Sequence, residues 1–136
     1  QVPGVIQAED FDEGQYSFKN GSSGNFKSYR SDQGVAISAS NNVVHISNTS
    51  GGDWIQYTFS VQEKISSVKV RAAAESGGKF ALSFDGGAQL DAVSTTTGNW
   101  NTYNDFTVSN VQLSPGTHTM KIHILSALNI DWFEFR

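Results

Sequence analysis

The sequence contains no cysteine, which excludes disulfide bonds and thiolate metal sites. It has no apolar run that approaches the roughly 20 residues of a transmembrane helix, and no signal peptide. Basic residues number only nine, are scattered singly, and leave a formal net charge of −4. This balance provides no basic patch for nucleic acid or for an anionic membrane surface. We therefore expect neither as a partner.

What the sequence does contain is typical of a β-protein. Proline occurs only twice, glycine occurs thirteen times, and serine, threonine and asparagine fill the gaps between short apolar runs. The length of 136 residues fits one domain over residues 1–136, which we expect to be a monomer. The opening Gln1-Val2-Pro3-Gly4 resembles a cut in a longer chain, from which a leader could have been removed.

Alternating apolar and polar residues mark the strands. Residues 54–59, 65–74, 79–84 and 120–124 each place their large apolar side chains on one face, as expected for strands with one face in a core. The pattern gives about ten strands and no helix longer than a turn. It predicts an all-β, two-sheet β-sandwich, in the jelly-roll topology, with long loops gathered at one edge.

The final stretch, residues 127–136, is predicted to be a closing strand. Extended geometry would place Asn129 and Asp131 on one side and Ile130 and Trp132 on the other, facing the core. Trp54, which lies within another apolar run, is interpreted as core as well. Asn129 lies where a loop meets the sheet, and its amide can both donate to and accept from a ligand hydroxyl.

Two aromatic residues occur in polar, glycine-rich loops. Tyr29 and Trp100 lie outside the alternating strands, and flat rings in loops suit the apolar face of a sugar ring while adding contact area at little entropic cost. The alternative is that Trp100 caps an open edge of the sandwich.

Three oxygen-bearing side chains suggest a metal site. Gln7 and Glu9 project together from the first predicted strand, and Asp131 is on the last, which often lies beside the first. Oxygen ligands of this kind suit calcium. The alternative is an ordinary solvated polar face. The three histidines lack zinc-ligand spacing.

Two other classes of function stay open. A glycosidase would need two flanking carboxyl groups, and carboxylates do cluster near the N-terminal loop, although nothing marks one as buried and proton-bearing. No nucleophile elbow, zinc-protease motif or phosphate-binding glycine loop occurs, so we expect no enzyme activity. A surface adhesion domain that recognises protein would instead expose an apolar patch. The candidate carboxylates are Glu9, Asp10, Asp12, Glu13 and Asp32.

Six segments, in order along nearly the whole chain, resemble the successive motifs of family 6 carbohydrate-binding modules. They are IQAEDF (6–11), YRSDQGV (29–35), GDWIQY (52–57), TGNWN (97–101), GTHTM (116–120) and LNIDWF (128–133). The resemblance implies a calcium-containing β-sandwich attached to a secreted, extracellular polysaccharide-degrading enzyme. Its main sugar cleft would be formed by loops at one edge, and some members also bind sugar on the concave sheet face, where no residue can be assigned from this sequence.

The resemblance also implies roles for particular residues. Two aromatics of the family sandwich a sugar ring and an asparagine hydrogen-bonds it, which by motif indicates Tyr29, Trp100 and Asn129. Arg30 and Asp32 are candidate polar contacts because they adjoin Tyr29.

The structural calcium of the family carries over to Gln7, Glu9 and Asp131. Two departures from the family pattern bear on these assignments. Ala36 stands where aspartate is frequent, and Gln7 stands where glutamate is common, which keeps an oxygen ligand but with less charge.

The function expected from the resemblance is non-catalytic binding of a plant or algal polysaccharide. A β-glucan such as laminarin is favoured, with xylan and agar-type galactans next. The module would keep a covalently linked glycoside hydrolase near its polymer.

Overall fold

A computed structural model describes all 136 residues, which form eleven strands and no helix. None of its elements is therefore a helix that could cross a membrane. The strands are β1 (Gly4–Gln7), β2 (Tyr16–Ser17), β3 (Ile37–Ser40), β4 (Val43–Ile46), β5 (Trp54–Val61), β6 (Val68–Ala73), β7 (Lys79–Phe84), β8 (Val93–Ser94), β9 (Asn104–Val108), β10 (Gly116–Ser126) and β11 (Asn129–Phe135).

The strands form two antiparallel sheets. One has the order β3-β4-β11-β6-β9, with β1 also paired to β11, and the other has the order β2-β5-β10-β7-β8. The sheets pack face to face as a β-sandwich, which confirms the predicted fold class. The first strand lies beside the last, as expected, and pairs with it from Gly4 opposite Phe135 to Gln7 opposite Trp132.

One apolar core fills the space between the sheets. It contains 27 buried hydrophobic residues, and the predicted alternation holds along β5, β6 and β10. In β5 the side chains of Ile55, Tyr57 and Phe59 are all at most 5% exposed, because alternate residues of a strand point to the same face. The hydroxyl of Tyr57 donates to the carbonyl of Ala8 at 2.6 Å, so this buried phenol is satisfied.

The predicted alternation fails in β11. The pairing of β11 with β6 shifts between Ile130 and Trp132, which places Asp131 in a β-bulge and reverses the alternation after it. As a result Phe133, and not Trp132, follows Ile130 into the core, and Trp132 is only half-buried. The expectation that Trp132 is a core residue is therefore wrong.

The GTHTM segment ties two turns together through His118. Its Nδ1 lies 2.6 Å from the Asp85 carboxylate, and its Nε2 lies 2.7 Å from the Ser114 carbonyl oxygen. Both contacts favour the protonated imidazole, and the hydrogen bond with Asp85 raises the pKa of His118. Burial alone would raise the pKa of Asp85, but the hydrogen bonds from His118 and from the Thr119 backbone N–H bring it below its ordinary value.

We expect the replacement of His118 with alanine to destabilise the fold in a pH-dependent way. The raised pKa of His118 gives a contribution that is complete below its ordinary pKa of 6.5 and is lost as pH rises through the raised value. The lowered pKa of Asp85 gives one that is complete above 3.8 and is lost as pH falls. The loss in unfolding free energy should therefore be largest between pH 3.8 and 6.5.

Since the Asp85 side chain is 46% exposed, solvent screening keeps this loss small, about 0.2–1 kcal/mol. Urea unfolding of both proteins across the pH range measures it, with Thr117→Ala as the matched control on the neighbouring position. An equal loss well above the raised pKa of His118 would contradict the ion-pair explanation.

Candidate carbohydrate-binding site

Loops from both sheets enclose a cleft of about 670 Å³ at one edge of the sandwich. This volume lies within the range of small-molecule sites. The cleft has a single aromatic residue, Trp100, and no charged residue in its lining. The lining residues are Asn20, Ser23, Ser47, Asn48, Thr49, Trp100, Ala127, Leu128 and Asn129.

Trp100 lies in the loop between β8 and β9, and 38% of its surface is exposed. The loop is attached to the end of β6 by two backbone hydrogen bonds to the Ala74 carbonyl, from Thr97 at 2.8 Å and from Gly98 at 3.1 Å. Within the loop, the Asn101 N–H donates to Asn99 Oδ1 at 2.7 Å. The indole is thus presented to the cleft from a loop that is held in place before any ligand arrives.

Asn129 begins β11 on the floor of the cleft and is 8% exposed. Its Nδ2 donates to the Trp100 carbonyl oxygen at 3.0 Å. Because a backbone carbonyl only accepts, this bond fixes which end of the amide is nitrogen. The Tyr103 hydroxyl also lies against this amide, and burial together with the Asp131 charge raises the pKa of Tyr103 while the Asn129 side chain lowers it. Trp100 and Asn129 are therefore brought together as predicted, with the amide holding the backbone of the aromatic residue.

Part of the cleft lining, the polar wall, consists of Asn20, Ser23, Asn48 and Thr49. Asn20 Nδ2 donates to the Asn48 carbonyl at 2.7 Å and to Ser50 Oγ at 3.1 Å, and Asn48 Nδ2 donates to Ser23 Oγ at 3.0 Å. Underneath, the buried Asp53 carboxylate accepts from the backbone N–H groups of Lys19 and Ser50. These contacts join two loops that are distant in sequence into one surface.

A second set of bonds attaches this wall to the floor. Thr49 Oγ1 donates to the Leu128 carbonyl at 2.7 Å and accepts from the Leu128 N–H at 2.8 Å. Gly24 lies so close to β3 that a Cβ there would be 2.1 Å from the Ile37 carbonyl oxygen. Only glycine fits that approach, so the loop that carries Asn20 and Ser23 packs directly on the sheet.

Tyr29 does not line the cleft. It is 39% exposed and its hydroxyl donates to the Asp10 carboxylate, a contact that raises the pKa of Tyr29. The hydrogen bond holds the ring against the N-terminal segment. The structure therefore places Tyr29 outside the lining of the cleft that Trp100 lines, and its pairing with Trp100 stays a prediction from the family motif.

Arg30 and Asp32 also lie outside the cleft lining. Arg30 Nη1 donates to the carbonyls of Glu9, at 3.2 Å, and Phe11, at 2.5 Å, and its guanidinium lies 4.1 Å from the centre of the Phe11 ring. Through these contacts Arg30 holds the N-terminal segment in place. Asp32 accepts a long hydrogen bond of 3.4 Å from its neighbour Gln33.

The predicted metal ligands lie where β1 and the turn after it run beside β11. Gln7 ends β1, and the Ala8 N–H donates to the Asp131 carbonyl at 3.0 Å. Glu9 Oε1 is buried and has no hydrogen-bond partner. Burial raises the pKa of Glu9 to about 7; its own backbone N–H lowers it, and the negative charges of Asp10 and Asp131 raise it. An unpaired, buried carboxylate oxygen beside other carboxylates is a position that a cation would stabilise.

Other features of this region are less favourable to a metal. No group of three or more histidine, cysteine, aspartate or glutamate side chains is arranged to hold an ion. Burial raises the pKa of Asp131, and the Arg71 guanidinium, whose Nε lies 3.8 Å from Asp131 Oδ2, lowers it. Asp131 thus has a cationic neighbour of its own.

Trp54 is a second partly exposed indole, on the outer face of the five-stranded sheet. It is half-buried, and the Lys121 ammonium lies 4.2 Å from the centre of its ring. The interpretation of Trp54 as core is wrong. The alternation of the sequence already predicts the opposite. If Ile55, Tyr57 and Phe59 face inward, Trp54 must face outward.

Sequence reasoning missed the polar wall. Asn20, Ser23, Asn48 and Thr49 lie in loops where no periodicity applies, and only the folded chain brings them together. Asn48 adopts a left-handed conformation with φ of 54°, which asparagine tolerates better than most residues, but the asparagine at this position did not by itself indicate a binding role.

Comparison with known proteins relates this architecture to one family. The model of the carbohydrate-binding module family 6 matches residues 25–136, well over half of the chain. A search of curated proteins gave no match.

Solved structures agree in fold. A family 6 module from Clostridium stercorarium in complex with cellobiose has a TM-score of 0.75 at 20% identity, covering 96% of this chain and 91% of that one. A β-1,3-glucan binding module from Bacillus halodurans has a TM-score of 0.71 at 25% identity, covering 98% and 96%. A module of Cellvibrio mixtus lichenase 5A in complex with cellotriose has a TM-score of 0.68 at 20% identity, covering 100% and 98%. The chain belongs to the family 6 carbohydrate-binding modules, which bind carbohydrate and are not catalytic.

Proposed function

We propose that the cleft beside Trp100 holds one or a few sugar units of a plant or algal polysaccharide. The observation that carries this proposal is the partly exposed indole on a fixed loop, with the Asn129 amide directly beside it. The indole would stack on the apolar face of a sugar ring, and the amide oxygen would accept from a ring hydroxyl. Of the predicted contacts, Trp100 and Asn129 have this support. Tyr29, Arg30 and Asp32 stay predictions from the family motif.

A β-glucan such as laminarin is the favoured ligand, with xylan and agar-type galactans next. Support comes from the solved relative described as binding β-1,3-glucan, which is 25% identical, and from a module of a marine laminarinase from Zobellia galactanivorans at 19% identity. A relative from Clostridium cellulolyticum is in complex with xylose, which keeps xylan under consideration.

The biological effect would be proximity. A module that binds the polymer raises the effective concentration of substrate at a covalently attached hydrolase. We propose that the parent protein is a secreted glycoside hydrolase. Among the solved relatives, an exo-β-1,3-galactanase from Phanerochaete chrysosporium is matched over only 30% of its length, so that the similar domain there is part of a larger enzyme.

We also propose that a structural calcium ion joins the first and last strands through Gln7, Glu9 and Asp131. The unpaired, buried oxygen of Glu9 supports this assignment, and calcium accepts carboxylate and amide oxygens in a flexible shell. The ion would serve the role that a disulfide has in other secreted domains, and it would not contact the sugar.

Affinity electrophoresis of the isolated module in gels that contain laminarin, xylan or agarose tests the proposed function. We expect laminarin to retard the module most. At about 0.3 kcal/mol per non-hydrogen atom, a disaccharide of about 23 such atoms would bind with a Kd on the order of 10 μM.

Migration that no polysaccharide changes would refute the binding function. Release of reducing sugar by the isolated module would instead favour the enzyme alternative.

A further inference from the structure

The three carboxamides of the cleft share one orientation. Asn129 and Asn20 each direct Nδ2 at a backbone carbonyl, of Trp100 and of Asn48 respectively. Since a carbonyl oxygen cannot donate, these contacts decide the position of nitrogen and oxygen in both amides. Asn48 directs Nδ2 at Ser23 Oγ. In each case the nitrogen is engaged by protein, and the amide oxygens of Asn20 and Asn48 accept no hydrogen bond from the protein.

The cleft is therefore rich in acceptors. Asn20 uses both of its N–H groups, on the Asn48 carbonyl and on Ser50 Oγ, and retains only an acceptor for a ligand. Hydroxyl groups of a sugar can donate to such oxygens. A sulfate ester or an ionised carboxylate has no hydrogen to donate and presents negative charge to them.

The cleft also contains no cationic side chain that could attract a sulfate or carboxylate group. The nine lining residues are all uncharged. Lys27, in the loop that carries Ser23, directs its ammonium at the Ser22 carbonyl, and Lys19, beside Asn20, does not line the cleft. Proteins that bind sulfate or carboxylate groups place arginine or lysine against them, and this cleft has neither.

We propose that the cleft selects neutral sugar units and rejects units that carry sulfate or carboxylate groups. This inference rests on the proposed function and narrows its ligand class. The favoured neutral polymers are laminarin, unsubstituted xylan and agarose, and the disfavoured ones are glucuronate-bearing xylans and sulfated galactans. Specificity arises because an anionic group in the cleft would lose hydration and find no cationic side chain among the nine lining residues to replace it.

The test compares laminarin with sulfated laminarin prepared from the same sample, and unsubstituted xylan with glucuronoxylan, by calorimetric titration. We expect the anionic member of each pair to bind at least about tenfold more weakly, a difference of about 1.4 kcal/mol. The net charge of −4 also repels anionic polymers at long range. The titrations are therefore repeated at about 1 M salt, where charges are screened beyond about 3 Å and the long-range repulsion is removed.

Two matched charge variants distinguish the effect of a charge in the cleft from the effect of the overall charge of the protein. Ser23→Lys places a cation in the polar wall, and Ser109→Lys places the same charge in a groove that Ser109 lines at a separate surface. We expect Ser23→Lys to narrow the gap between the neutral and anionic polymers and Ser109→Lys to leave it unchanged. Equal narrowing by both variants would assign the discrimination to overall charge and refute the proposal.

Equal or tighter binding of sulfated laminarin by the unmodified protein would refute the inference while leaving the carbohydrate-binding function in place. Absence of binding to every neutral polymer would instead refute the proposed function, and the inference with it.

Discussion

Replacing Trp100 with alanine is expected to weaken laminarin binding by at least about 100-fold, equivalent to about 2.7 kcal/mol, the loss typical of a central aromatic contact. Trp100 is the only aromatic residue in the cleft lining, so no second ring can compensate for it. Because the indole is 38% exposed, its removal should change the unfolding free energy by no more than about 0.5 kcal/mol. Calorimetric titration and thermal melting measure the two quantities.

Two further variants control the experiment. Trp100→Phe keeps a flat apolar ring, so we expect part of the affinity to remain. Trp54→Ala removes another partly exposed indole, which lies on the outer face of the five-stranded sheet under Lys121, and should leave binding in the cleft intact. Full affinity in Trp100→Ala together with lost affinity in Trp54→Ala would move the site to that sheet face.

The second large effect that we expect is the dependence of the melting temperature on calcium. An ion that binds only the folded chain stabilises it by about 2.7 kcal/mol at 100 times its Kd. For a domain of this size the melting temperature should then rise by about 5–10 °C. Differential scanning calorimetry in a chelator, and then in excess calcium, measures the change. Identical melting temperatures in the two conditions would exclude a structural calcium.

The calcium ligands can be tested in the same experiment. Glu9→Gln keeps an oxygen but removes the charge, and should abolish most of the calcium-dependent rise. Glu134→Gln is the matched control, because Glu134 lies on β11 but is paired with Lys69 and Arg136. An equal calcium-dependent rise in Glu9→Gln and in the unmodified protein would place the ion elsewhere.

The architecture was predictable because it depends on a local pattern. In β5 the alternation of apolar and polar residues alone predicts that Ile55, Tyr57 and Phe59 form part of the core, and all three are buried. The pattern fails in β11, where the bulge at Asp131 changes which of Trp132 and Phe133 faces inward. The position of a single extra residue in a strand cannot be located from the sequence pattern alone, because it depends on how the strand pairs with its neighbour.

The site was predictable only in part. Trp100 and Asn129 occur in recognisable segments, and in the structure the Asn129 amide donates a hydrogen bond to the Trp100 carbonyl. Tyr29 occurs in a recognisable segment as well, but its ring position depends on Asp10, nineteen residues earlier. The polar wall depends on contacts such as Asn20 with Asn48 and Lys19 with Asp53. Such contacts are set by the folded loops and have no sequence period.

Titration of the ¹⁵N-labelled module with a laminarin oligosaccharide, followed by NMR, tests the central claim most directly. We expect the signals of the Trp100 indole N–H and of the side-chain amides of Asn129, Asn48 and Asn20 to shift together with one saturation curve. Shifts confined to the indole of Trp54 and its neighbours, with Trp100 and Asn129 unchanged, would contradict it.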